Sequence, residues 1–128
     1  MFVAYSVAIE LIHNLRDLVP IIKRHDRDLA DQIHRAATSV ALNLCEGQRL
    51  TAGNQRRHYE IAHGSANEVK GALDLAEAWG WVADTSTPRR TLDRLLGLLW
   101  RLTHPRTTIV DHQNTAVGDR ENAKNRDA

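Results

Sequence analysis

The sequence predicts an all-α fold, an antiparallel up-and-down four-helix bundle. Four segments carry apolar residues three or four positions apart, which is the spacing of one face of an α-helix. Short polar connections separate these segments, and none of them shows the alternation of a β-strand. Amphipathic helices are stable only when they cover one another's apolar faces, so four of them with short connections indicate a bundle.

The first predicted helix spans residues 3–24. Its apolar face consists of Ala8, Leu11, Ile12, Leu15, Val19 and Ile22. Pro20 should kink or end this helix, because its ring lacks an N–H group and clashes with the preceding turn. The polar run from Lys23 to Asp28 is the predicted connection, in which Asp26 or Asp28 could cap the next helix.

The second predicted helix ends near Leu50 and contains the segment Asp31 to Gly47, around which the chain is organised. Its apolar stripe is made of small and branched residues, which would let a neighbouring helix approach closely. The members of the stripe are Leu29, Ile33, Ala36 or Ala37, Val40 and Leu44. Three polar residues lie beside it: Arg35, Asn43 and Glu46.

The third predicted helix spans residues 55–79, with Asn54 as a candidate N-cap and Gly80 just beyond its end. Gly64 and Gly71 lie inside it. Each costs up to about 1 kcal/mol relative to Ala in a helix, so we expect a close helix contact to compensate.

Thr87 and Pro88 predict the N-cap and first residue of the fourth helix. Its apolar residues are Leu92, Leu95, Leu96, Leu99 and Leu102, and it ends by His104. The bundle domain is therefore predicted over residues 1–104. Residues 105–128 are polar with little to bury, which predicts a disordered C-terminal tail.

Composition excludes several classes of protein. The 128 residues suffice for one domain. The 17 Lys and Arg against 16 Asp and Glu give a net charge of +1, which is too low for a protein that binds nucleic acid through its overall positive charge. Cys45 is the single cysteine, which excludes an internal disulfide and fits a reducing cytoplasm. No apolar run reaches the roughly 20 residues of a membrane span, and no secretion leader is visible. We expect a cytoplasmic protein without a membrane partner.

Two motifs resemble a known family. The second helix carries Gln32-Ile33-His34-Arg35-Ala36-Ala37, then Ser39-Val40 and Asn43-Leu44-Cys45-Glu46-Gly47, and the third carries Ala62-His63-Gly64-Ser65-Ala66-Asn67-Glu68. These runs are similar to Q-x-R-R-A-A-x-S-I-x-x-N-I-A-E-G and A-x-G-S-x-x-E of the bacterial four helix bundle protein family, which is encoded in intervening sequences of large-subunit ribosomal RNA genes. The resemblance covers roughly residues 7–103.

The resemblance implies an assembly and a class of partner, although the sequence departs from the family pattern at some positions. It implies a homo-oligomeric ring, a pentamer with a central channel, and kinship with accessory proteins of diversity-generating retroelements, which bind a reverse transcriptase and nucleic acid. It implies no catalytic activity and no cofactor. His34 replaces an Arg, Ala41 a Pro and Cys45 an Ala of the family pattern, which weakens any transfer of function that needs a basic surface.

The residues that match the pattern are interpreted as structural signature positions. They are Gln32, Arg35, Ala36, Ala37, Ser39, Asn43, Glu46, Gly47, Gly64, Ser65 and Glu68. Arg35 with Glu46 or Glu68 is a candidate charge-assisted network across the second and third helices. The alternative is that Arg35 and Glu46 bind a ligand. Helix packing explains Gly64 and Ser65 better than phosphate binding, since no strand–loop–helix context surrounds them.

Two Glu-x-x-His motifs suggest a metal-dependent bundle enzyme. They are Glu10 with His13 and Glu60 with His63, and di-iron bundles use such pairs pointing inward. Successive helical residues advance by about 100°, however, so Glu10 and Glu60 point away from the apolar faces. We expect all four side chains to face solvent and no metal site.

Basic residues are the remaining signal. The candidate nucleic-acid contacts are Arg16, Lys23, Arg24, Arg27, Arg56, Arg57, Arg89, Arg90 and Arg94. A ring would repeat them into a stronger field. Tyr59 is the best-placed aromatic residue for stacking on bases, whereas Trp79, Trp81 and Trp100 are interpreted as core or subunit-interface anchors. Cys45 is interpreted as a small packing residue.

The sequence thus predicts a non-enzymatic, oligomeric binding or scaffold protein. Its predicted partners are copies of itself and RNA, DNA or a nucleic-acid-handling protein such as a reverse transcriptase. The first alternative is a purely protein-binding assembly, and the second is a metal-dependent enzyme.

Overall fold

A computed structural model describes residues 2–105. Within that range the chain forms five α-helices and no strand: α1 (Val3–Leu15), α2 (Val19–Lys23), α3 (Arg27–Gly47), α4 (Ala52–Ala78) and α5 (Ser86–Thr103). The predicted disordered tail, apart from Pro105, lies outside the described residues. None of the described helices has the length and apolar character that crossing a lipid bilayer requires.

Each of the four long helices packs against two others, which is the arrangement predicted for a bundle. α3 makes its most extensive contact with α4, α4 also contacts α5, and α1 lies between α3 and α5. The short α2 covers part of α3. The all-α fold class is confirmed.

The core follows the predicted apolar stripes. Ile33, Val40 and Leu44 of α3 have no exposed surface, and Leu29, Ala36 and Ala37 are buried beside them. Leu73 of α4 and Leu95 of α5 are equally enclosed. Burying one such aliphatic side chain contributes about 1.5–3 kcal/mol, so the covered stripes are the main source of stability.

The break in the first predicted helix comes before Pro20, not at it. α1 ends at Leu15, and α2 begins at Val19. Pro20 is the second residue of α2. An N–H group in the first turn of a helix has no acceptor within that helix, so proline is tolerated there. The prediction of an interruption is confirmed, but its position is displaced toward the N-terminus.

α3 and α4 differ from their predicted ends at two places, and a third, the cap of α3, agrees with the prediction. Asp26 caps α3, accepting a hydrogen bond from the Leu29 N–H at 3.0 Å, which decides between the two candidates. α3 ends at Gly47, short of the predicted Leu50. α4 begins at Ala52 after Thr51 in the N-cap position, so the prediction of Asn54 as N-cap is wrong.

Gly80 closes α4 as predicted. Its φ is +77°, the left-handed conformation that glycine adopts readily. Its N–H donates to the Glu77 carbonyl at 2.9 Å, and the Trp81 N–H donates to the Ala76 carbonyl at 3.0 Å. This pair of bonds is the Schellman motif.

α5 starts two residues before Pro88, its predicted first residue, so Thr87 is not its N-cap. The helix begins at Ser86, and the Asp84 carboxylate accepts from the Ser86 N–H at 2.9 Å and from its hydroxyl at 2.7 Å. These bonds lower the pKa of Asp84. The cap signal was therefore wrongly assigned, because Asp84 supplies the acceptor from two positions before the helix.

The expected close contacts at Gly64 and Gly71 are absent within the described chain. A Cβ added at either glycine would meet nothing within 4 Å. Both residues are exposed on α4, on the side away from the core. The close approach lies instead at Gly47.

Candidate functional site

A row of hydrogen bonds joins α3 to α4, and we call it the α3–α4 seam. Gln32 Nε2 donates to Glu68 Oε2 at 3.0 Å, Ser65 Oγ donates to Ser39 Oγ at 2.9 Å, and Asn43 Oδ1 lies 2.8 Å from His58 Nδ1. Positions rise along α3 as they fall along α4, so the two helices are antiparallel. Five of these six residues are predicted signature positions.

Asn43 is the most connected residue of the seam. Its Nδ2 donates to the Ser39 carbonyl at 2.9 Å and to Ser39 Oγ at 3.1 Å. Its Oδ1 must therefore accept, which requires His58 Nδ1 to carry the hydrogen. The sequence did not single out His58, although its place across the antiparallel pair from Asn43 could have indicated it.

The predicted network around Arg35 is wrong. Arg35 is exposed and makes no hydrogen bond or ion pair with the rest of residues 2–105. Glu46 pairs at 2.9 Å with Arg49, three residues further along the chain and just beyond the end of α3. Gln32, not Arg35, faces Glu68, because the turn of α3 places Arg35 further from the helix contact. The neutral amide of Gln32 therefore supplies the link that the sequence predicts for the Arg35 guanidinium.

The two Glu-x-x-His motifs do not converge. Glu10, His13 and Glu60 are exposed and His63 is half-buried. Glu10 lies 3.8 Å from Arg94, and Glu60 lies 3.2 Å from Arg56. Among the described residues, no three His, Cys, Asp or Glu side chains lie together in a way that could hold a metal ion.

Three of the predicted nucleic-acid contacts form ion pairs within the bundle: Arg56, Arg89 and Arg94. Arg56 and Arg94 form the ion pairs just described, and Arg56 also donates to the Thr103 carbonyl at 3.1 Å. Within residues 2–105 the other six form no close ion pair: Arg16, Lys23, Arg24, Arg27, Arg57 and Arg90. These six are the ones whose charge is available to a ligand.

Arg89 joins the end of α4 to the start of α5. Its guanidinium lies 2.9 Å from Asp74 and 2.9 Å from Glu77, and its Nε donates to Thr85 Oγ1 at 2.8 Å. The buried Thr85 hydroxyl donates to Glu77 in turn. The Thr85 hydroxyl and then Arg89 lower the pKa of Glu77, and hydrogen bonding to Arg89 lowers that of Asp74. Arg89 therefore has a structural role.

The aromatic residues agree with the sequence predictions only in part. Tyr59 is buried, so it cannot stack on bases, and burial raises its pKa. Trp79 and Trp100 are 69% and 53% exposed, so neither is a core anchor, and their role as subunit-interface anchors stays a prediction. Trp81 is half-buried against the core, as predicted for a core anchor. Cys45 is exposed on α3 and is not a packing residue.

Two apolar features remain open to solvent. The outer face of α4 exposes Ile61 and Leu75, which are 40% and 52% exposed, along with the unoccupied space beside Gly64 and Gly71. The second feature is a groove of about 300 Å³ between α1–α2 and α3. Its lining includes Ile12, Leu15, Val19, Ile33 and Ala37.

A model of one protein family matches the chain. The family is described as 23S rRNA-intervening sequence protein, and the match covers residues 2–95, which include α1 to α4, the first half of α5 and the whole α3–α4 seam. No match was found among curated proteins or among solved structures.

Proposed function

Because this chain belongs to the 23S rRNA-intervening sequence protein family, we propose that it is a non-enzymatic protein that self-associates and presents basic residues to nucleic acid. The observation that carries the proposal is the open apolar face of α4. In the form implied by the resemblance to the four helix bundle proteins, the assembly is a pentameric ring.

The outer face of α4 supports self-association. Ile61 and Leu75 are large apolar side chains in water, on a helix whose opposite side is fully used by the core. Ile61, Gly64, Gly71 and Leu75 recur at helical spacing along one face, the pattern of a helix that packs against another helix. The space beside Gly64 and Gly71 would let the backbone of a second helix approach, which supplies the compensation that these helical glycines lack within one chain.

The basic residues support binding of nucleic acid. Lys23, Arg24 and Arg27 lie within five consecutive positions where α2 meets α3, and none is neutralised by a close ion pair in the described chain. A net charge of +1 gives one copy little general attraction for phosphate. An assembly would repeat this local group and concentrate its field.

The native mass tests self-association. Light scattering on the full chain should give a multiple of 14.4 kDa, and Leu75→Glu should dissociate the assembly by placing a charge in the interface. Leu42→Glu is the matched control, since Leu42 is an exposed leucine on α3. A wild-type monomer at the same concentration would contradict the proposal.

Fluorescence anisotropy across a salt series tests binding of nucleic acid. Affinity for a labelled RNA should fall as salt rises from about 50 to about 200 mM, and the Arg24→Gln, Arg27→Gln double variant should show a shallower slope. Arg101→Gln, at an exposed arginine of α5, is the control. Absence of binding at low salt would contradict this half of the proposal.

The groove between α1–α2 and α3 favours the alternative of a protein-binding assembly. Its apolar lining and size suit a helix or loop of a partner. In this alternative the occupant is a protein without a nucleic-acid role. A nucleic-acid-handling protein such as a reverse transcriptase, as the resemblance to retroelement accessory proteins implies, would instead belong to the primary proposal. An intact assembly that binds no nucleic acid would favour this alternative.

A further inference from the structure

Three aromatic rings form a stack at the end of the bundle where α4 gives way to α5. The ring centroids of Trp79 and Trp81 are 5.9 Å apart with 13° between their planes. Those of Trp81 and His25 are 5.5 Å apart with 4° between their planes. We call Trp79, Trp81 and His25 the ring stack. Its planes are nearly parallel, in the offset arrangement that aromatic pairs prefer.

The backbone holds the ring stack in place. Trp79 and Trp81 flank Gly80, whose positive φ reverses the chain at the end of α4. Trp81 packs on the core, whereas Trp79 at the outside is 69% exposed. Trp79 therefore offers a large flat surface to solvent on a rigid support. A ligand would not have to order it first, which lowers the entropic cost of binding.

Positive charge lies next to His25 of the ring stack along the chain. Lys23, Arg24 and Arg27 are within two positions of His25 in the chain and form no close ion pair in the described residues. The carboxylates nearest in sequence are partly occupied: Asp26 caps α3, Glu77 pairs with Arg89, and Asp84 accepts from Ser86. Asp28 stays exposed beside them. Phosphate groups are therefore the ligands that this end of the bundle attracts best.

We propose that the ring stack is a platform for single-stranded nucleic acid, with one unpaired base stacked on Trp79 and neighbouring phosphates on Lys23, Arg24 and Arg27. Aromatic faces beside cations are how proteins bind single strands without reading their sequence. In a duplex the base faces are covered by their neighbours, so the platform should prefer single strands. This inference rests on the proposed binding of nucleic acid and assigns it a place and a strand preference.

Anisotropy with a labelled oligouridylate of about 12 nucleotides tests the platform. Trp79→Ala should weaken binding about tenfold or more, the effect expected for losing one stacked base, and Trp79→Phe should retain most of the affinity. The wild type should bind the single strand more tightly than a duplex of the same length. Trp100→Ala is the matched control, because Trp100 is an exposed tryptophan that stacks on His104 elsewhere.

The outcomes separate this inference from the proposed function. Wild-type affinity in Trp79→Ala, or an equal loss in Trp100→Ala, would overturn the platform while leaving binding of nucleic acid intact. Failure of the wild type to bind any nucleic acid would overturn both. Loss of the native oligomer in Trp79→Ala would show that the ring stack contacts another copy, which also overturns the platform. Circular dichroism on each variant checks that the helices are retained.

Discussion

The end of α3 lies directly against the ring of Tyr59: a Cβ built on Gly47 would be 2.7 Å from Cε1 of Tyr59 and 3.0 Å from Cδ1. Tyr59 is buried, and its ring lies 5.9 Å from that of Phe2, so it has little room to withdraw. The absence of a side chain at Gly47 is what lets α4 start so close to α3.

Gly47→Ala should therefore lower the free energy of unfolding by about 1–3 kcal/mol, the usual cost of overpacking. Gly97→Ala is the matched control, because its Cβ would enter open space on α5 and alanine favours the helix. The control should be neutral or stabilising by up to about 1 kcal/mol. Urea denaturation measures both, and equal stability of Gly47→Ala and the wild type would refute the steric argument.

Asn43→Ala should destabilise the protein by about 1–3 kcal/mol, because it removes the bonds to Ser39 and leaves His58 Nδ1 without its acceptor. Glu46→Ala, one turn further along α3, removes only the exposed pair with Arg49 and should cost less than about 0.5 kcal/mol. The comparison is made by thermal and urea unfolding. A larger loss in Glu46→Ala would show that the seam contributes little.

Acid should weaken the junction between α4 and α5. The fold lowers the pKa of Asp74 and Glu77 from ordinary values of 3.8 and 4.5, so the unfolded chain binds more protons over that range. Their contribution to stability is complete above about pH 4.5 and is lost as the pH falls through the lower folded values. Arg89→Gln should reduce stability at neutral pH and make the loss below pH 4.5 shallower.

Urea unfolding between neutral pH and pH 3 gives the profile. Arg94→Gln serves as the control, since its pair with Glu10 is long, at 3.8 Å, and exposed. Parallel pH profiles for Arg89→Gln and the wild type would mean that other carboxylates dominate the acid response.

Removal of metal ions by a chelator should leave the thermal stability of the protein unchanged. Because no three His, Cys, Asp or Glu side chains lie together among the described residues, EDTA should not shift Tm, and added Zn²⁺ should not raise it. Metal analysis of the purified assembly, with Glu60→Ala for comparison, extends the test to sites between copies. If the wild type bound metal stoichiometrically and Glu60→Ala did not, the result would support the alternative of a metal-dependent enzyme.

The sequence determined the elements that depend on periodicity. The stripe of Ile33, Val40 and Leu44 predicted the buried face of α3, because helical spacing places these residues on one side of the helix. Gly80 predicted the end of α4, because glycine readily adopts the positive φ that ends a helix. The outward direction of Glu10 and Glu60 followed from the same 100° rotation per residue. The signature positions marked the right pair of helices.

Only the tertiary structure decided which side chains meet across that pair. Gln32 and Arg35 both lie beside the stripe of α3, but the angle and register of α4 bring Glu68 to the amide and leave the guanidinium in water. The same applies to Tyr59 and Trp79, since both combine an apolar ring with one polar group and occur both in cores and at partly exposed positions. Periodicity specifies the face of a helix to within a few tens of degrees, whereas a hydrogen bond requires an error below an ångström, and that precision comes from packing.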